Sequence, residues 1–140
     1  MIRIVDASVA IKWFVADEPF KDDALVLLDQ IKDSPQEFAV PELFFNEMLS
    51  VLCRILEQPG LIHECLEALQ DLGFERLGNG RAVLSEAVAL AKQYGLSGYD
   101  AVYAANAKLT RGVWVTADET AYKKIEKLHV TQLLGGGVFP

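Results

Sequence analysis

Four acidic side chains occupy positions in this sequence where a folded chain could use them for chemistry. Asp6 directly follows a short β-branched segment, Asp118 follows a second apolar segment, and Asp100 begins a stretch that is apolar on nearly every side. Glu47 interrupts the apolar face of a predicted amphipathic helix. Carboxylates without a nearby His or Cys cluster favour a hard divalent cation, Mg²⁺ or Mn²⁺, over zinc.

Asp6 and Glu47 also have ordinary structural explanations. Asp6 precedes a predicted helix, so its carboxylate could cap that helix. Glu47 lies two helical turns before Arg54, and a salt bridge between them at the edge of the apolar face would account for the acid. These interpretations stay open beside metal binding at this point.

Helix capping is the alternative for the other two acids. Ser97 and Asp100 have the spacing of a capping box. Thr116 and Glu119 have the same spacing, which would leave Asp118 as a first-turn acid stabilised by the helix dipole. In addition, all helix N-termini lie along one edge of the sheet in a parallel α/β fold. Some clustering of acids at that edge is therefore expected without any function.

Hydrophobic periodicity and turn residues divide the chain into alternating strands and helices. The predicted strands are 2–5, 38–40, 74–77, 113–116 and 130–133. The predicted helices are 8–15, 19–32, 42–56, 61–72, 81–94, 97–110 and 119–127. A loose tail is expected at 135–140, after the last strand.

This alternation predicts an α/β fold, because strands too apolar to have a wet face need helices on both sides. We expect a single three-layer α/β/α domain over residues 1–140, with a central five-stranded parallel sheet that is Rossmann-like in architecture. In such sheets the site lies at the carboxyl ends of the strands, where the strand order reverses. The sequence contains no internal repeat and no linker.

Composition excludes several classes of protein. The chain has 140 residues, is 51% hydrophobic, and carries a net charge of −7, which argues against disorder and against a uniformly basic nucleic-acid binder. Two cysteines are too few for a disulfide framework. With no signal segment and no apolar run long enough to span a bilayer, a soluble cytoplasmic protein is expected.

Four segments, in order along the chain, resemble the PIN domain family, and most of all its VapC type of toxin ribonuclease. They are IVDASVAIKWF around Asp6, VPELFFNEMLSVL around Glu47, LSGYDAVYAANA around Asp100 and WVTADE around Asp118. The resemblance implies that these four acids form a metal-dependent nuclease site. It also implies that Ser8 and Thr116 brace that site, whereas Ser50 stands where many relatives have Asn.

The resemblance further implies a function and partners. The chain would be an endoribonuclease that uses Mg²⁺ or Mn²⁺ to hydrolyse RNA, and the toxin of a VapBC-type pair with a VapB-like antitoxin. A homodimer is also implied, and the apolar faces of helices 19–32 and 42–72 are candidates for both interfaces. Two alternatives remain, a catalytically silent PIN-like binding module and an RNA-processing PIN nuclease without an antitoxin.

Other α/β families with an acid after the first strand fit less well. A receiver domain needs paired acids at its start and a Lys after the fifth strand, where this chain has glycines. A haloacid-dehalogenase phosphatase needs a second Asp two residues after Asp6, and Ser8 occupies that position. The nuclease hypothesis therefore has no strong rival among enzymes.

Charge is distributed unevenly along the chain. Residues 1–75 contain 15 acids and 5 bases, whereas residues 76–140 contain 5 acids and 8 bases. Basic side chains near Asp100 and Asp118 are candidate phosphate contacts. These candidates are Lys108, Arg111, Lys123, Lys124 and Lys127. Each could equally belong to a solvated helix face.

Overall fold

A five-stranded parallel sheet forms the centre of the molecule, in a computed structural model that describes residues 1–136. Its order is β3-β2-β1-β4-β5, and every neighbouring pair is parallel. The strands are β1 Arg3–Val5, β2 Phe38–Pro41, β3 Glu75–Leu77, β4 Val113–Thr116 and β5 Thr131–Leu133. The predicted α/β/α fold and all five predicted strands are therefore confirmed.

Helices cover the sheet on both faces. They are α1 Ala7–Ala10, α2 Lys21–Asp33, α3 Leu43–Ile55, α4 Pro59–Gln70, α5 Arg81–Tyr94, α6 Gly98–Thr110 and α7 Glu119–Ile125. Short 3₁₀ turns extend α1 through Ile11–Trp13 and α7 through Glu126–Leu128. The predicted tail lies partly within the described residues, and residues 137–140 lie outside them.

The largest departure from the predicted elements lies between β1 and α2. The helix predicted at 8–15 is only one turn of α-helix followed by a 3₁₀ turn. The helix predicted from 19 begins at Lys21, because Phe20 has a left-handed backbone (φ 59°) that a helix cannot include. The Lys21 Nζ holds the connection in place by donating to the carbonyls of Lys12 and Val15, at 2.6 and 2.7 Å.

The order of the strands reverses at β1. The chain moves outward from β1 through β2 to β3 and then returns to place β4 on the other side of β1. The register between β1 and β4 continues past the strand end, since the Asp6 amide donates to the Val115 carbonyl at 3.0 Å. The carboxyl ends of these two strands thus form the crevice in which ligands of such sheets bind.

Helix α6 lies against the centre of the sheet. Its residues from Ala101 to Ala107 are all buried, as a helix that is apolar on nearly every side predicts. The Tyr103 ring stacks on Trp114 of β4, with 5.9 Å between ring centroids. Gly112 allows β4 to begin close to β1, because a Cβ there would lie 2.3 Å from the Ile2 carbonyl oxygen. This packing fixes the start of α6, and Asp100 with it, beside the crevice.

Candidate active site

Asp6 is the most firmly held of the four acids. Its side chain is almost fully buried, and Oδ2 accepts hydrogen bonds from Ser8 Oγ at 2.8 Å and from Thr116 Oγ1 at 2.6 Å. The carboxylate makes no capping hydrogen bond to α1. The helix-cap interpretation of Asp6 is therefore wrong: its carboxylate is fixed by two hydroxyl groups.

The two hydroxyls also join the start of α1 to the end of β4. Ser8 Oγ lies 3.3 Å from Thr116 Oγ1 and accepts from the Ala117 amide at 2.9 Å. Thr116 Oγ1 in turn accepts from the Asp118 amide at 3.1 Å. Each hydroxyl thus donates a hydrogen bond to Asp6 and accepts one from a backbone amide at Ala117 or Asp118.

Asp118 is itself the N-cap of α7. Its Oδ1 accepts from the Ala121 amide at 3.1 Å, and its side chain is exposed at the mouth of the crevice. The capping box predicted for Thr116 and Glu119 does not form, because Thr116 still belongs to β4 and its hydroxyl is engaged by Asp6.

Asp100 lies half-buried in the first turn of α6. Ser97 Oγ accepts from the Asp100 amide at 3.1 Å, so the predicted cap at Ser97 is present. Burial raises the pKa of Asp100, and the charge of Asp118 raises it further, while Ser97 and the positive charge of Lys124 oppose the rise. Capping and a role in the site are compatible here, because the cap uses only the Asp100 backbone.

Glu47 is an acid on the apolar side of α3, next to the fully buried Met48. Within residues 1–136 it forms no salt bridge with Arg54, and its Oε1 is buried without a hydrogen-bond partner. The salt-bridge interpretation of Glu47 is therefore wrong. Burial raises the pKa of Glu47 to about 7; the Tyr103 hydroxyl opposes this rise, and the charges of Asp6 and Asp100 add to it.

The four acids influence one another through their charges. Burial raises the pKa of Asp6 to about 6 against the hydrogen bonds from Thr116 and Ser8, and the charge of Asp100 adds to the rise. The pKa of Asp100 responds to Asp118, and that of Glu47 to Asp6 and Asp100. Side chains from four separate elements thus lie near enough to the ends of β1 and β4 for their charges to interact.

Tyr103 is a member of this cluster that the sequence analysis did not single out. Its hydroxyl oxygen is buried and, within residues 1–136, has no hydrogen-bond partner. Burial and the charges of Asp6 and Glu47 raise its pKa well above 10. The available signal was its spacing, because a polar atom three residues after Asp100 lies on the same face of a helix that is otherwise apolar.

The donor set fits a hard cation by its chemistry. It consists of carboxylate and hydroxyl oxygens, and the buried Glu47 Oε1 forms no hydrogen bond within residues 1–136. Across residues 1–136, however, no three His, Cys, Asp or Glu side chains lie close enough together to hold one ion directly. The arrangement therefore suits Mg²⁺ or Mn²⁺ bound by one or two carboxylates and by water, which is how Mg²⁺ usually binds.

The basic side chains near the site differ in their pairing. Lys108 lies 2.6 Å from Glu86, and Lys123 lies 2.9 Å from Glu119, so the charges of both are partly neutralised. Lys124 makes no ion pair among the described residues, and its charge acts on Asp100. It is the predicted phosphate contact with the clearest link to the carboxylates.

Arg54 is a second cation near the cluster, and the sequence analysis assigned it only a structural role. It lines a cavity of about 370 Å³ beside the carboxylates. The other residues around this cavity are Ala7, Ser8, Ile11, Val15, Glu18, Glu47, Val51 and Ile55. The Arg54 guanidinium, which forms no ion pair within residues 1–136, thus opens into the same space as Glu47.

The fold and the site together define a class: a doubly wound parallel sheet with four carboxylates at the point where its strand order reverses. A model of the PIN domain matches residues 3–128. The chain therefore belongs to the PIN domain family, as its four segments predict. No curated protein sequence matches this chain.

Several solved structures share this fold. A toxin–antitoxin complex from Klebsiella pneumoniae is 18% identical, with a TM-score of 0.68 over 93% of this chain and 95% of that one. FitAcB from Neisseria gonorrhoeae is 18% identical (TM-score 0.70, 89% and 94% covered). PAE2754 from Pyrobaculum aerophilum is 22% identical (TM-score 0.66, 91% and 86% covered). At these identities the likeness extends to the fold.

No helix within residues 1–136 has both the length and the apolar character needed to cross a bilayer.

Proposed function

We propose that this protein is an endoribonuclease that uses Mg²⁺ or Mn²⁺ to hydrolyse RNA phosphodiester bonds. The observation that carries the proposal is the grouping of Asp6, Glu47, Asp100 and Asp118 near the switch point of a PIN domain, where their charges act on one another. In addition, Glu47 Oε1 is buried and forms no hydrogen bond within residues 1–136. Four acids placed together without a cation repel one another and also repel RNA. A cation bound between the carboxylates would offset this repulsion.

The side chains divide the work of the proposed site. Asp6 and Asp100 would be the principal ligands, and Asp118 and Glu47 would complete the shell through water or hold a second ion. Bound metal would supply the charge that polarises the scissile phosphate and lowers the pKa of water. Ser8 and Thr116 act on Asp6 alone, by holding Oδ2 in one orientation.

Glu47 is the residue we assign to proton transfer. Burial raises its pKa above the ordinary value of a glutamate, which makes the carboxylate a stronger base. The carboxylate can orient the attacking water for in-line displacement and accept its proton. The Tyr103 hydroxyl, held in its protonated form, can donate a hydrogen bond toward Glu47 and position it.

Toxin activity is the biological setting we propose. Structures with this fold include a toxin–antitoxin complex and FitAB bound to a DNA fragment, the latter 18% identical with a TM-score of 0.70 over 89% of this chain and 91% of that one. We therefore propose a cytoplasmic toxin with a VapB-like antitoxin. A homodimer is also proposed, and the exposed apolar side chains of α2 to α4 are available for either interface. They are Leu25, Val26, Leu49, Ile55 and Leu61.

Metal-dependent cleavage of single-stranded RNA is the direct test. The purified protein should bind Mn²⁺ and cut RNA in the presence of Mg²⁺ or Mn²⁺ but not with excess EDTA. Binding of Mn²⁺ without any cleavage would favour the catalytically silent module instead. Cleavage by a chain with no antitoxin gene beside its own would favour an RNA-processing nuclease.

A further inference from the structure

A second cavity, of about 280 Å³, opens on the other side of Glu47. It is lined by Leu43, Asn46, Glu47, Ser50, Val51 and Tyr99. Glu47 and Val51 also line the cavity that contains Arg54, so the two spaces adjoin at the same face of α3. The proposed hydrolysis uses only Glu47 among these residues, which leaves the other five without a role.

Tyr99 is the most unusual of these residues. Its side chain is 64% exposed, although it directly precedes Asp100 and the buried body of α6. Among the described residues its ring packs on no other aromatic ring. An exposed aromatic ring beside a proposed phosphodiester site is a surface on which a base can stack.

Asn46 and Ser50 supply free polar groups on successive turns of α3. Both side chains are exposed, and neither makes a hydrogen bond within residues 1–136. An Asn amide presents two donors and an acceptor, and a Ser hydroxyl presents one donor and two lone pairs. Such groups pair with the edges of bases.

We propose that this cavity binds one nucleobase of a single-stranded RNA, next to the scissile phosphate, and sets the base preference of cleavage. The base stacks on Tyr99 while its edge forms hydrogen bonds with Asn46 and Ser50. The inference rests on the proposed function, because it takes RNA to be the substrate. It adds an element that determines specificity to the site.

The chemistry of the lining favours a base over the other parts of a ligand. The negative charge of Glu47 would repel a phosphate but not a neutral base. An aliphatic side chain of a protein partner would leave Asn46 and Ser50 without hydrogen bonds, which is unfavourable once water is excluded. The volume is also slightly below the range of about 300–1,000 Å³ that encloses drug-sized ligands, as expected for a single ring system.

Binding of short RNA tests the stacking surface. In an Asp6→Asn background, to prevent turnover, fluorescence anisotropy is measured with fluorescein-labelled hexanucleotides of adenosine, cytidine and uridine. Tyr99→Ala should weaken binding by between about 5- and 150-fold, since stacking contributes about 1–3 kcal/mol per base. Tyr99→Phe, which keeps the ring, should restore most of the lost affinity. Val88→Ala, at a side chain equally exposed on α5, is the matched control.

Asn46 tests the reading of the base edge. Asn46→Asp replaces two donors by an acceptor, so the order of affinities among the three hexanucleotides should change. With Asp6 intact, sequencing of products from a randomised RNA should show a changed preference at one position next to the cut. Gln93→Ala, at an exposed amide on α5, should leave both the affinities and the preference unchanged.

The outcomes separate this inference from the proposed function. One outcome would overturn the base pocket alone. In it the wild type cleaves RNA, Tyr99→Ala binds RNA with unchanged affinity, and Asn46→Asp cleaves with an unchanged base preference. The same result is expected if a protein partner fills the cavity. RNA binding that depends on Tyr99, with no cleavage by the wild type, would overturn the nuclease and keep the pocket. Neither binding nor cleavage would overturn both.

Discussion

Thr116 Oγ1 donates a hydrogen bond of 2.6 Å to Asp6 Oδ2, between residues that are 110 positions apart in the chain. The same oxygen accepts from the Asp118 amide at 3.1 Å. One hydroxyl therefore fixes a carboxylate at the end of β1 and the backbone before a second carboxylate at the end of β4. Neither contact is available to a side chain without an oxygen.

Thr116→Val should lower the cleavage rate while it keeps the fold. Valine has the same shape as threonine but cannot donate to Asp6, and hydrogen bonds to charged groups contribute about 1.5–3 kcal/mol. Loss of a side chain that orients a metal ligand typically reduces activity by about 10- to 100-fold. Steady-state cleavage of RNA at fixed Mg²⁺ measures the effect. Thr116→Ser, which keeps the hydroxyl, should retain most of the activity. An equal loss of activity in Thr116→Ser and Thr116→Val would show that the hydroxyl does not position Asp6.

Asp6→Asn and Asp100→Asn should each abolish RNA cleavage without unfolding the protein. Both changes remove a negative charge from the proposed metal site and preserve the size of the side chain. Circular dichroism checks the fold, and gel-based RNA cleavage with Mn²⁺ checks the activity. Asp29→Asn, at an exposed position on α2, is the matched control and should cleave like the wild type. EDTA-sensitive activity in both site variants would show that the assignment is wrong.

The sequence predicts the framework well because the framework depends on local patterns. Apolar strands, the start of α5 and its end at Gly95, which has a left-handed backbone (φ 69°), follow from periodicity and turn chemistry. The connection before α2 does not, because the left-handed Phe20 and the contacts of Lys21 depend on tertiary structure. No propensity rule places a helix start after a left-handed phenylalanine.

The site shows the same division. The sequence predicts where the four acids fall, since each is next to the end of a strand or on the face of a helix. It does not predict that Glu47 lacks its Arg54 partner, or that the Tyr103 hydroxyl is buried among the carboxylates. Those facts depend on side-chain positions across α3 and α6, which spacing along one element does not determine.

Without metal, the protein should become less stable as the pH rises from about 4 to about 7. The native pKa of Asp6 is about 6, against 3.8 in the unfolded chain, so the native state binds more protons in this range and loses stability as they leave. For Asp6 alone the difference corresponds to about 3 kcal/mol. Glu47, with a pKa of about 7, extends the loss to higher pH.

Thermal unfolding in EDTA at pH 5, 6, 7 and 8 measures this dependence. Asp6→Asn should flatten the curve and raise the stability at pH 8 above that of the wild type, because the amide carries no charge. Added Mn²⁺ should stabilise the wild type at pH 8, since an ion that binds only the native state adds to its stability. A metal-free wild type that gained stability between pH 5 and pH 8 would contradict the raised pKa values.

Arg54 and Lys124 should contribute to the salt dependence of RNA binding more than the ion-paired Lys123. Neither has an ion pair within the described residues. Arg54 lines the cavity beside Glu47, and the charge of Lys124 acts on Asp100. Each phosphate contact on a single strand contributes about 0.7 to the slope of log affinity against log salt concentration. Arg54→Ala and Lys124→Ala, each in an Asp6→Asn background, should therefore lower that slope by about this amount. Lys123→Ala should lower the slope less, because Glu119 already neutralises part of the Lys123 charge. Equal slopes in all three variants would mean that the RNA strand does not pass between Arg54 and Lys124.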